Sequence, residues 1–110
     1  MTARANTFEE FWPQYVVAHS QPATRAFHCV GTLGGWTILI AAIARRQPWW
    51  IPAALAFPYA LAWLSHFFVE HNKPATFGHP LWSWAADQKM VALMLAGKMS
   101  REVERCKALV

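Results

Sequence analysis

Two histidines, His28 and His66, stand almost equally far from the one interruption between two long apolar runs. Residues 26–44 contain no Asp, Glu, Lys or Arg, and neither do residues 48–69; Arg45-Arg46-Gln47-Pro48 connects them. An antiparallel helical hairpin folded at that connection would bring the two imidazoles within roughly 2 Å of the same depth. His19, Glu70, His71 and His79 fall on the same side, and no histidine occurs from 29 to 65. Glu70 lies one turn after His66 on the same helical face, so this pair can clamp a metal from one side. His28 and His19 then approach from the first span and the helix before it. Neutral imidazoles with a carboxylate and no thiolate suit Fe(II) or Zn(II), and a set with open positions fits non-haem iron better than structural zinc. Ionisable side chains in apolar spans are costly, which makes them functional candidates.

Other polar residues near this level have two readings each. Arg25, Asn72 and Lys73 could anchor an anionic head group, or simply snorkel to a membrane interface. Tyr59 could hydrogen-bond in the pocket, or only pack the span. His71 is turned well away from His66 around the helix and His79 sits in a loop, so neither is placed in the ligand set. Ser65 beside His66 makes no catalytic pair, because adjacent helical residues face apart. Neither a Gly-rich phosphate loop nor a serine nucleophile elbow occurs.

The elements that must position these groups follow from composition. The 110 residues form a single domain, 55% hydrophobic and only 15% charged, with seven Trp and seven Phe. Both apolar runs reach the roughly 20 residues that a helix needs to cross a bilayer. A chain this short has little polar surface with which to wrap two helices apolar all round. The fold class expected is therefore all-α: a membrane helical hairpin of two transmembrane helices, flanked by interfacial amphipathic helices. The segment before residue 11 lacks the apolar core of a cleavable signal, so the first span is expected to act as an uncleaved insertion signal.

Thr7-Phe8-Glu9-Glu10 has the form of a capping box. The helix it opens places Phe8, Phe11, Trp12, Tyr15 and His19 on one face, which suits a helix lying in the head groups. Gly31 and Gly35 let another helix approach closely, either the second span or a second copy in a homodimer. Pro58 is interior to the second span, which opens with Pro48-Trp49-Trp50, and a third helix is expected from Trp82 to Met99. The net charge of +4 forms no stripe. Arg101, Arg105 and Lys107 alternate with Glu102 and Glu104, so nucleic acid is excluded as a partner and anionic lipid explains the balance. Cys29 and Cys106 form no metal-type pair. The positive-inside rule mildly favours cytoplasmic termini for an integral membrane protein, in the inner membrane if bacterial.

Tyr15-x-x-x-His19-x-x-Pro22, then His28, then His66-x-x-x-Glu70-x-x-x-Pro74-Ala75 resemble the 2-hydroxy fatty acid dioxygenase family. The resemblance runs from about Phe8 to Trp84. Studied fungal relatives are endoplasmic-reticulum membrane enzymes of fatty acid α-oxidation. It implies an Fe(II)-dependent dioxygenase that takes a 2-hydroxy fatty acid and O₂ to an acid one carbon shorter. The family's essential histidines map onto His19, His28 and His66, and Glu70 falls on its acidic position, as a ligand or an outer partner. The fungal proteins carry extra hydrophobic sequence where this chain has only a short connection. A different chain length, another 2-hydroxy lipid or a dimer-completed pocket are the alternatives that departure opens. In the hairpin the acyl tail would enter the apolar region while its carboxylate and 2-hydroxyl stay at head-group depth, suited to a metal that positions both. The rival class is a non-enzymatic membrane scaffold or partner-binding hairpin, which has no need of imidazoles gathered at one depth. Histidine-rich hydroxylases and desaturases carry His-x-x-His-type pairs, which this sequence lacks.

Overall fold

The structure is a computed structural model and describes residues 5–74 and 77–110. Helix α1 (Phe8–Ala18) opens on Thr7, whose hydroxyl accepts from the Glu10 N–H at 3.2 Å. The Glu10 carboxylate reaches back to the Asn6 N–H at 3.0 Å, so the capping box closes one residue earlier than its usual form. Pro22 opens α2 (Pro22–Ala44) in the first turn, where a missing N–H costs nothing. One 3₁₀ turn, Pro48–Trp50, then leads into α3 (Ile51–Ser65), which widens over His66–Glu70 into a π turn.

The α2–α3 hairpin is the most extensively packed pair. A Cβ at Gly31 would lie 3.0 Å from Pro58 Cα, and one at Gly35 would lie 2.9 Å from the Ala54 carbonyl oxygen. The backbones can meet this closely only because both positions lack a side chain. The two glycines are buried against α3, so the close approach they permit is made within one chain rather than with a second copy. Both arms of the hairpin are long and apolar enough to cross a membrane, and only 28% and 22% of their apolar windows are buried inside the protein.

Two expectations change at the C-terminal side. The helix expected over Trp82 to Met99 is two helices, α4 (Pro80–Leu95) and α5 (Met99–Leu109). Gly97, at φ 72°, turns the chain between them, and the Lys98 N–H closes on the Leu93 carbonyl at 2.8 Å. The aromatic face of α1 does not lie open for lipid head groups. Phe11, Trp12, Tyr15 and Val16 pack with Ala86 and Met90 of α4 and with Met99, Val103 and Cys106 of α5. A full set of apolar partners within the chain is what removes α1 from the expected interfacial role. The buried core of the protein is therefore a three-helix cap, α1–α4–α5, seated on the open end of the hairpin. Trp12 ties it together by donating to Glu102 at 2.6 Å, and Arg105 grips the same carboxylate at 2.7 Å. Those hydrogen bonds hold the Glu102 carboxyl down to about 2.

Candidate metal centre

His19 caps the C-terminus of α1, His28 sits two turns into α2, and His66 stands where α3 widens. The cap and the hairpin meet at these three residues. One nitrogen from each lies within 4.8 Å of those of the other two, and all three residues are buried. Their ring centroids are separated by 4.4 Å, 4.4 Å and 5.3 Å, each pair nearly perpendicular. Perpendicular rings at such distances also occur in aromatic packing; it is the meeting of one nitrogen from each ring within 4.8 Å that makes these three a possible ligand set.

The other nitrogen of each ring is fixed from behind. His19 Nδ1 donates to the Tyr15 carbonyl at 2.6 Å, one turn back along α1. His28 Nδ1 donates to the Asp87 carboxylate at 3.1 Å. His66 Nδ1 donates to Asn72 Oδ1 at 2.6 Å. The Asn72 amide is oriented by its own NH₂, which donates to the Ala18 carbonyl at 3.1 Å and so turns its oxygen to His66. Every acceptor demands an Nδ1–H tautomer, which leaves the Nε2 lone pairs free for a cation. Among the described residues, His19 Nε2 and His28 Nε2 are indeed buried without a hydrogen-bond partner. Uncompensated polar atoms at such depth are costly, and a bound metal would remove that cost. Burial, reinforced by the neighbouring His28 and His66, holds the His19 imidazole well below its ordinary range, in the neutral form that a metal requires.

Local backbone choices build this arrangement. His71 adopts φ 58°, in the left-handed region, and the Asn72 N–H returns to the His66 carbonyl at 2.9 Å. That turn folds Asn72 over His66. On the other side, Tyr15 stacks on His19 at 4.0 Å and its hydroxyl donates to Asp87. Burial and the Asp87 charge push the Tyr15 phenol well above its usual range, so it remains a donor. Tyr15 thus touches two of the three histidine supports.

The remaining expected site residues are placed as follows. Glu70 is not in the histidine group; its carboxylate accepts from the Gln21 N–H at 2.9 Å, at the positive N-terminus of α2. Arg25 is buried and donates to the His19 and Ser20 carbonyls at 2.9 and 2.7 Å, fastening the α1–α2 corner. Asn72 supports His66, as described above. Lys73 is exposed, and Tyr59 lines a groove between the hairpin and α4. His71 is exposed, and His79 stacks on Trp82 at 4.7 Å, away from the triad. Asp87 escaped the reading of the sequence. A lone carboxylate in a helix of mixed polarity carries no local signal; only the packing of α4 on α2 shows its part.

A family model described as 2-hydroxy-palmitic acid dioxygenase Mpo1-like matches residues 5–99, which takes in α1 to α4 and all three histidines. No curated protein and no solved structure matches the chain.

Proposed function

The chain belongs to the Mpo1-like family, and we propose that it is an Fe(II)-dependent dioxygenase that shortens a 2-hydroxy fatty acid by one carbon. The observation that carries this reading is the triad of buried imidazoles whose Nδ1 atoms are all held and two of whose Nε2 atoms have no partner among the described residues. His19, His28 and His66 would hold the iron through Nε2. Three neutral nitrogens without thiolate leave coordination positions open, as oxygen-activating iron sites do. The metal would supply activation of O₂ and polarisation of the substrate's oxygens.

The protein's own part is positioning and exclusion of water. Tyr15, Asp87 and Asn72 fix the three rings, so little reorganisation accompanies substrate binding. The α1–α4–α5 cap covers the triad from above, while the apolar hairpin lies below it. A fatty acid approaching along the hairpin therefore meets the triad with its carboxyl end. Protein loaded with Fe(II) without oxygen and then given O₂ and 2-hydroxypalmitate is expected to yield the acid one carbon shorter. Palmitate, which lacks the 2-hydroxyl, is expected to be inert. Equal consumption of both acids, or none of either by iron-loaded protein, would overturn the assignment.

α2 and α3 are taken to cross a bilayer. Ile40, Ile43 and Phe68 are each more than three-fifths exposed along the hairpin, and a run of apolar side chains this extensive marks contact with lipid or protein. Exposed Trp49 and Trp50 sit beside Arg45 and Arg46 at the hairpin tip, the composition of a membrane interface. Alkaline carbonate extraction of membranes without detergent is expected to leave the protein in the pellet. Release as a soluble monomer would rule out the spans.

A further inference from the structure

A groove of about 170 Å³ runs between α2, α3 and α4. Each helix that lines it also supplies a group at the triad. On α2, Thr32, Trp36 and Leu39 continue the face that carries His28. On α3, Leu55 and Tyr59 lie on the side that leads to His66. On α4, Trp84 lines the groove beside Asp87, the residue that holds His28 Nδ1. Leu39 follows His28, and Leu55 precedes His66, by about 16 Å of helix. The groove thus reaches Asp87 beside the metal centre, although none of the three histidines lines it, and runs down the hairpin toward its tip. Its lining passes from Asp87 and Thr32 nearest the triad, through Tyr59 and Gln88 midway, to the apolar Leu39 and Leu55 at the far end.

We infer that this groove seats the acyl tail of the substrate and that Leu39 and Leu55, at its far end, set the chain length accepted. The inference rests on the reaction proposed above, because it takes the substrate's carboxyl end to be at the triad. Its occupant is a single saturated chain continuous with the reacting end, since Asp87 belongs to both the channel and the histidine support. A membrane lipid tail lying in the same cleft would have no such link.

Two experiments on the full-length protein in lipid nanodiscs test it. Leu39→Trp and Leu55→Trp fill the far end without touching the triad. Turnover of 2-hydroxypalmitate should fall by about tenfold or more while 2-hydroxyoctanoate stays within about twofold of wild type, because a few methylenes lost from a fitted channel are worth that much. Ile40→Trp, on the outer face of α2, should change neither. Equal loss on both acids, or no loss on either, would overturn the assignment. Separately, 2-hydroxypalmitate carrying a mid-chain diazirine should photolabel Leu39, Leu55 or Trp84. Labelling confined to outer-face residues such as Ile40 and Ile43, or none, would also overturn it. If wild-type protein turns over neither acid, the proposed reaction fails and the labelling pattern alone decides the groove.

Discussion

Replacement of His19, His28 or His66 by alanine, one at a time, is expected to abolish stoichiometric iron binding. Each ring contributes one of three nitrogens that lie within 4.8 Å of one another, and no thiolate is available in the group to substitute. Loss of a group that merely supports a ligand costs roughly 10- to 100-fold in affinity, and loss of the ligand itself costs more. Elemental analysis of protein purified without oxygen reads the result: about one iron per chain in wild type and a trace in each variant. His79→Ala should keep its iron, because His79 packs on Trp82 and Phe11 outside the group. Glu70→Gln should keep most of it, since an amide oxygen can still accept from the Gln21 N–H. Equal loss of iron from all of these variants would mean that the cap has unfolded and that the triad has no special role. Thermal unfolding supplies the second readout. A cation bound to the native state alone raises the wild-type midpoint in proportion to ln(1 + [L]/Kd), and the triad variants should lose that rise.

Asp87→Ala is the second large effect. It removes the acceptor of both the His28 Nδ1–H and the Tyr15 hydroxyl, and it leaves those two buried donors unpaired. Iron affinity is expected to fall by roughly 10- to 100-fold, the range found when the outer partner of a ligating imidazole is lost. Asp87→Asn keeps an acceptor oxygen and should lie between wild type and alanine. Tyr15→Phe leaves Asp87 on His28 and the Tyr15 carbonyl on His19, so it should weaken binding least. The order wild type, Tyr15→Phe, Asp87→Asn, Asp87→Ala, measured by competition with a chelator, identifies Asp87 as the group that orients His28. A flat series would assign the carboxylate to packing alone.

None of the three histidines or their hydrogen-bond partners lies on α5, yet both effects need the cap in place. α5 lies almost wholly beyond the matched residues, and it buries Met99, Val103 and Cys106 against α1. The helix that carries Tyr15 and His19 is therefore braced by a segment of this chain that the family match does not include.

Much of the centre was legible in the sequence because a helical hairpin is nearly one-dimensional. Once the two apolar runs and the short connection are recognised, helical rise alone sets His28 and His66 at one depth, and their ring centroids do meet at 5.3 Å. The period of α1 likewise put Phe11, Trp12, Tyr15 and His19 on one face, and all four are buried. The sequence could not say what that face meets. Amphipathic helices look alike whether the apolar side meets lipid or protein. Here α4 and α5 cover it, and Met99, Val103 and Cys106, one helical face of an otherwise charged segment, were the overlooked sign.

Glu70 shows the opposite limit. Its spacing from His66 is right for a shared helical face, but the widened turn over His66–Glu70 and the nearby N-terminus of α2 draw its carboxylate to Gln21. Periodicity determined which residues reach the level of the site. Which atoms face inward was decided largely by contacts far apart in sequence: Asp87 on His28 and on Tyr15, and the Asn72 amide on Ala18. Hydrogen bonds of that kind are set by the packing of whole helices, and local sequence carries no record of them.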